Sequence, residues 1–361
     1  MLLVLLSLIA CPRPSTLEEA LDVRPPLDLP PQTHPLDAVS VPDLPMWTNK
    51  YAKTRDDFGR FFSMAALMDE YGLSRLQSIE LQNHYRDLHR ADPDGREVDQ
   101  FAEALRRVQA KEFESGIDPV RIQNAPFVVV FDLDDTLYDQ YAPAIDGDTC
   151  TPMSRETEKG TKTIYMAPGW QSIIKTIREL DGEVVLFSAN VDAPTRLNLK
   201  HIDLAGKPLL GHPDIAGVMT NSYLTLQEKS AGRPVSEPSK DLRFFDEELR
   251  KVIIVDDNPT RLFQPANTRL FRKLHAEDLC AADPDAKQRA AMLSAMPTVE
   301  REIRESVTSM SDLHIDFATA YLPYTQIGRV AVQALVDGTE MPFEEAVLYL
   351  RQHPELADLR F

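Results

Sequence analysis

Phe127-Val128-Val129-Val130-Phe131-Asp132-Leu133-Asp134-Asp135-Thr136-Leu137 is the stretch on which the fold turns. Five apolar residues run without a polar break, three of them β-branched, and the run ends on carboxylates. That pattern predicts a strand buried on both faces, as in a parallel sheet covered by helices. Residues two apart in extended backbone point to the same side, so Asp132 and Asp134 share a face. Two further runs have the same character: Val184-Val185-Leu186-Phe187 and Val252-Ile253-Ile254-Val255. Gln171 to Leu180, with Pro168-Gly169 ahead of it, reads as a helix between the first two, and Asp241 to Arg250 as a helix before the third. The alternation predicts an open α/β sheet.

Each of the three runs leads into polar residues at its C-terminal end, where ligands bind in open α/β sheets. Asp132 and Asp134 follow the first, Ser188 the second and Asp256-Asp257-Asn258 the third, which Lys240 precedes. Carboxylates held close together repel unless a cation or a shared proton compensates. A hard divalent cation with oxygen ligands, Mg²⁺ above all, suits a few carboxylates plus a substrate phosphate. The chemistry this favours is attack of Asp132 on phosphorus, giving an acyl phosphate. Asp134 would protonate the leaving oxygen and later deprotonate water. Ser188 and Lys240 would serve the equatorial phosphoryl oxygens. Lys229 is a rival for the lysine role, and His201, near the second run, reads as a surface or packing histidine.

Asp132-Leu133-Asp134-Asp135-Thr136-Leu137, Ser188, Lys240 and Asp256-Asp257 resemble, in order, the four motifs of the haloacid dehalogenase (HAD) superfamily. Within it, Ala167-Pro168-Gly169, Ser239-Lys240-Asp241-Leu242 and Val255-Asp256-Asp257-Asn258-Pro259 resemble the branch of NLI-interacting-factor-like and RNA polymerase carboxy-terminal-domain phosphatases. The resemblance implies a Rossmann-like core with a central parallel sheet. It also implies one Mg²⁺ held by Asp132, the backbone carbonyl of Asp134 and the Asp256-Asp257 pair, with Asp257 the direct ligand of the two. Asp139 to Met166 would form a small flap in place of a large cap, open to a phosphorylated side chain on a protein. The flap has no apolar substrate platform, so a phosphorylated small molecule stands beside a phosphoprotein as substrate. A broad-specificity acid phosphatase or nucleotidase is one alternative activity. An inactive scaffold working through its helical flanks is another.

Around residues 123–275, the phosphatase domain, the chain divides by composition. Residues 1–11 contain an apolar run, MLLVLLSLIA, too short to span a bilayer and ending in Leu8-Ile9-Ala10-Cys11, which resembles a bacterial lipobox. No Lys or Arg precedes the run. The expectation is a lipid anchor on Cys11 in the cell envelope, with a cytoplasmic protein as the alternative. Residues 12–46 are rich in proline and read as a linker. Residues 47–122 turn helical, with Phe58, Phe61, Phe62, Ala65, Ala66 and Met68 near a 3.6-residue period and a second helix from Val98 to Ala110. Residues 276–361 are helical again, over Asp283 to Val307, Met310 to Leu322, Gln326 to Val336 and Pro342 to Gln352.

The formal net charge of −18 disfavours a general attraction to nucleic acid. Three cysteines, Cys11, Cys150 and Cys280, form no zinc-type cluster. Cys150 and Cys280 read as two separate thiols, with pairing open if the protein is exported. Oligomeric state has no signature in the sequence.

Overall fold

The computed structural model describes residues 61–141, 144–145, 149–150, 152–157, 160–226, 228–229, 233–234 and 238–357, and the strand pair partner 46–47. The expected signal and almost all of the linker, 1–45, lie outside the described residues. The chain opens with a short antiparallel pair, β1 (Met46–Trp47) and β2 (Phe61–Phe62). Helices α1 (Met64–Tyr71), α2 (Arg75–Ala91), α3 (Glu97–Gln109) and α4 (Pro119–Asn124) follow. The helical period expected from Phe61 and Phe62 is therefore corrected: both lie on β2, and the helix begins only after Ser63. That side chain accepts from the Ala66 amide and satisfies an end donor of α1. Phe58 lies outside the described residues.

The core elements are β3 (Val128–Phe131), β4 (Tyr138–Tyr141), β5 (Met153–Thr157), β6 (Gly160–Met166), α5 (Trp170–Glu179), β7 (Glu183–Phe187) and α6 (Asp192–His201). After a small hairpin, β8 (Asp203–Leu204) with β9 (Lys207–Pro208), comes β10 (Ile215–Met219). A second hairpin, β11 (Glu228–Lys229) with β12 (Arg233–Pro234), precedes β13 (Val252–Asp256) and β14 (Thr268–Leu270). Five strands form one parallel sheet in the order β10-β7-β3-β13-β14. The chain moves outward from β3 to β7 and β10, then returns across β3 to β13 and β14. The order thus reverses beside β3, which puts the carboxyl end of β3 at the crevice such sheets use for ligands. The expected parallel α/β sheet is present.

The flap is a three-stranded antiparallel sheet in the order β4-β6-β5. Asp241 to Arg250, expected as a helix, is instead a 3₁₀ turn at Leu242–Phe244 followed by irregular backbone. The Asp241 carboxylate caps the turn by accepting from the Arg243 amide, and Leu249 sits at φ 58°, in the left-handed region, which a continuous helix does not allow.

Alternate residues of the sheet feed two cores. Val129, Phe131, Val184, Leu186, Ile253 and Val255 face one, and Val128, Val130, Val185, Phe187, Val252 and Ile254 face the other. The N-terminal helices close the second core through Leu67, Ile79, Tyr85 and Phe101. The first core is closed by α7 (Ala276–Cys280), α8 (Ala286–Leu313), α9 (Phe317–Tyr321), α10 (Gln326–Thr339) and α11 (Phe343–Gln352). Both helical regions are thus outer layers of the sheet. Met310 to Leu322 is not one helix, because α8 stops with His314 at φ 55° and Asp316 caps α9 afresh. Gly169 opens α5 at φ 88°, and a Cβ there would come within 3.3 Å of the Pro297 ring on α8. Only glycine meets both the backbone angle and the close approach.

Cys150 and Cys280 form a disulfide across 130 residues, with their Cα atoms 5.2 Å apart. The expectation of two separate thiols is corrected. The bond ties the flap segment between β4 and β5 to the end of α7. Thr149 supports the join by donating its amide (2.8 Å) and its hydroxyl (3.1 Å) to the Cys280 carbonyl.

Candidate active site

Asp132 directly follows β3, and its amide donates to the Val255 carbonyl on β13, which keeps the residue in register with the sheet. A tight turn follows. The Leu133 carbonyl accepts from the amides of Leu137 and Tyr138, and Asp135 takes φ 63°, a conformation aspartate tolerates better than most residues. The turn carries Asp134 round to the mouth of the site while Leu133 and Leu137 stay in the core. Lys273 pairs with Asp135 at 2.6 Å, and the Leu274 amide donates to the Asp135 carbonyl. The segment after β14 thereby fixes the turn.

Lys240 is almost wholly buried, with Nζ 2.5 Å from Asp132 Oδ1 and 2.6 Å from Asp256 Oδ2. Its own burial works against the ammonium, but the Asp132 and Asp256 charges outweigh it and hold the lysine protonated. Burial pushes the Asp132 carboxyl well above the ordinary carboxylate range, against the lowering effect of Lys240. Asp257 is raised by burial and then by Asp256 and Asp135.

Asp132, Asp256 and Asp257 each offer a carboxylate oxygen, and these atoms lie within 4.8 Å of one another. One ammonium among three clustered carboxylates leaves excess negative charge in a buried place. The donor set is all oxygen, and its charge and hardness fit a cation of the Mg²⁺ type. Thr136 holds Asp257 on the outer side: its hydroxyl lies 3.3 Å from Asp257 Oδ1 and accepts from the Asp257 amide at 3.2 Å. Asp256 Oδ1 is taken by the Asn258 amide at 2.8 Å.

Asp134 stands apart from this cluster. Its Oδ1 accepts from Gln140 Nε2 at 2.8 Å and its Oδ2 from the Ser188 hydroxyl at 3.3 Å. Burial raises its carboxyl, opposed by hydrogen bonds from Asn190, Gln140 and Ser188. The upward push is in the direction a general acid needs. Ser188 Oγ also accepts from the Asn190 amide at 3.0 Å, which fixes the hydroxyl at the end of β7.

The structure thus brings Asp132, Asp134, Ser188, Lys240, Asp256 and Asp257 to one end of the sheet. His201 is exposed on α6, with Nδ1 2.9 Å from the Leu197 carbonyl, away from this cluster. The Lys229 side chain is outside the described residues. Sequence reasoning quoted Thr136 within the acidic motif without a role for it, and missed Gln140, Asn198, Lys273 and the group around Asp241, the residue next to Lys240. There, Asp241 is buried and held by Arg243 (2.8 Å), Gln264 (2.8 Å) and Arg75 of α2 (3.4 Å). Burial opposes the Asp241 charge, but Arg243 and Arg75 keep its carboxyl below the ordinary range. Only Gln140 had a usable signal, since it lies on the strand that immediately follows the acidic turn.

A parallel sheet with a buried nucleophile-type aspartate, a second carboxyl two residues on and a lysine bridging to a second acidic pair defines a HAD-type phosphatase core. Residues 127–279 match the family model of NLI interacting factor-like phosphatases. This domain belongs to that branch of the HAD superfamily and is a phosphoric monoester hydrolase. No curated protein matches the chain. Among solved structures, the beryllium fluoride-bound RNA polymerase II CTD phosphatase Fcp1 of fission yeast, an arginine-to-alanine variant, is 14% identical with a TM-score of 0.30. That match covers 66% of this chain and 69% of the other. A second Fcp1 structure is 14% identical with a TM-score of 0.31, covering 65% of this chain and 66% of the other.

Proposed function

We propose that the protein hydrolyses a phosphomonoester through a phosphoryl group carried on Asp132. The observation that supports this most is the setting of Asp132 itself, buried at the end of β3 between Lys240 and the Asp256-Asp257 pair. In this reading an Asp132 oxygen attacks phosphorus as the bond to the leaving oxygen breaks, and Asp134 delivers the proton that oxygen needs. Asp134, now ionised, takes a proton from water as the water oxygen attacks phosphorus. The bond to Asp132 breaks and phosphate is released. Lys240 lies where it can shift part of its hydrogen bonding from Asp132 to a phosphoryl oxygen, and Ser188 supplies a hydroxyl beside it. Asp132, Asp256, Asp257 and the Asp134 carbonyl would hold Mg²⁺. The ion would neutralise phosphate charge, so that an anionic nucleophile can approach.

The substrate in this reading is a phosphorylated side chain on a protein. What supports this is the small size of the flap, whose described part is one three-stranded antiparallel sheet. A substrate panel tests this: preference for phosphopeptides supports it, and preference for nucleotides or sugar phosphates replaces it with the acid phosphatase reading. We further propose that the protein works in an oxidising compartment, anchored through Cys11. The Cys150–Cys280 disulfide supports export, since such bonds are rare where thiols are kept reduced. A native protein with free thiols at both positions and no acyl mass on Cys11 would contradict it.

The catalytic test is hydrolysis of an aryl phosphate by the full chain, with Mg²⁺ and with chelator, beside Asp132→Asn. Metal-dependent turnover that vanishes in the variant supports the proposal; equal rates in both proteins refute it.

A further inference from the structure

We infer that Gln140, held by Asn198, is a positioning residue for Asp134 as proton donor to the leaving group. The inference rests on the proposed acid–base role of Asp134. Gln140 lies on β4, the first strand of the flap, and its Nε2 donates to Asp134 Oδ1 at 2.8 Å. Its other amide atom is held as well. Gln140 Oε1 accepts from Asn198 Nδ2 at 3.0 Å, and the same Nδ2 lies 3.2 Å from the Tyr138 hydroxyl. Asn198 is buried on α6, and Tyr138 is buried at the start of β4, so the relay is anchored in the core at its far end. The amide orientation in which Nε2 donates to Asp134 Oδ1 and Oε1 accepts from Asn198 satisfies both ends of the Gln140 side chain.

The consequence is geometric. Asp134 follows a tight turn and has a side chain that could rotate about two bonds. Gln140 takes one oxygen and Ser188 the other, on opposite sides of the carboxyl. Of the two, Ser188 also faces the place assigned to the phosphoryl group, whereas among the described residues the Gln140 side chain hydrogen-bonds to the acid and to Asn198. Gln140 therefore acts through Asp134 and not on the substrate. Removing its hydrogen bond leaves the carboxyl held from the Ser188 and Asn190 side alone and loosens its aim at the leaving oxygen, and loss of alignment of that kind costs rate without costing binding.

The test uses two substrates of the full-length enzyme with Mg²⁺. An alkyl phosphate has a leaving oxygen that must be protonated, and nitrophenyl phosphate has one that departs as a stable anion. The parameter kcat/KM is read because it reports the steps through departure of the leaving group. Gln140→Met keeps the chain length and removes the donor. It should lower kcat/KM on the alkyl phosphate by about tenfold or more and on the aryl phosphate by less than about threefold, with the loss in kcat and not in KM. Asn198→Ala should show the same selectivity at smaller size, and it carries the test should Gln140→Met fail to fold. Equal losses on the two substrates, or a loss confined to KM, would overturn the inference. Asp134→Asn is run alongside. If it shows the alkyl-selective loss while Gln140→Met does not, the inference alone fails; if it shows none, the acid role of Asp134 fails first.

Discussion

The two helical layers reach the site by different means. The N-terminal layer touches it through charge, where Arg75 on α2 meets the buried Asp241 directly behind Lys240. The C-terminal side touches it through a covalent bond and the backbone: Cys280 is joined to Cys150 in the flap, and the Ala276 amide donates to Asp139 on β4 at 2.9 Å. One layer holds the lysine that faces Asp132, and the other holds the flap that carries Gln140. Neither helical region is therefore a free appendage. The two braces should fail under different insults, one to loss of a charge and the other to reductant.

The largest effect is expected from the covalent brace. Cys150→Ser with Cys280→Ser opens a loop of 130 residues, and a chain-entropy account puts the loss near 5 kcal/mol. Denaturant unfolding checks this, and mild reductant on the wild type should reproduce it. Next comes the electrostatic brace. Asp241→Ala strips a buried carboxylate from Arg243 and Arg75, which costs about 4 kcal/mol by the usual penalty for half of a buried pair. It should also lower kcat, since the Lys240 segment loses its backing. Reductant should leave the deficit of this variant unchanged in its native disulfide form only until the bond opens, after which the two losses add.

The smallest effect separates the layers by pH. Glu80 on α2 is buried, accepts from the Tyr223 hydroxyl at 2.7 Å and has its pKa raised by burial to about 7. Its folded pKa lies above its unfolded value of 4.5, so the native state binds the extra proton between the two. The stability this gives is present below pH 4.5 and is lost as pH rises through about 7. The full change is about 3 kcal/mol. Glu80→Gln should flatten that part of the stability profile, measured by denaturant unfolding at mildly acid and mildly alkaline pH. An unchanged profile would mean that the pair carries no linked proton.

The sheet and the catalytic cluster were legible because both are short-range patterns. Val128 to Phe131 and its two companions announce buried strands, and every expected site residue is at a strand end or, for Lys240, in the segment before β13. What escaped depends on contacts between distant segments. Arg75 meets Asp241 across 166 residues, and Cys150 meets Cys280 across 130. Asn198 reaches Gln140 only because α6 packs beside the flap. Phe61 and Phe62 misled for a different reason: two adjacent apolar residues satisfy a helical period and a strand equally well, and the Ser63 cap decided between them.

The central claim is that Asp132 carries the phosphoryl group, and trapping it is the most direct measurement. Wild-type protein turning over an aryl phosphate with Mg²⁺ would be quenched in acid, digested and weighed by mass spectrometry. The account predicts one added phosphoryl mass on the peptide containing Asp132, absent from Asp132→Asn. Full turnover in the Asp132→Asn protein, or a phosphoryl group on any other residue, would contradict it.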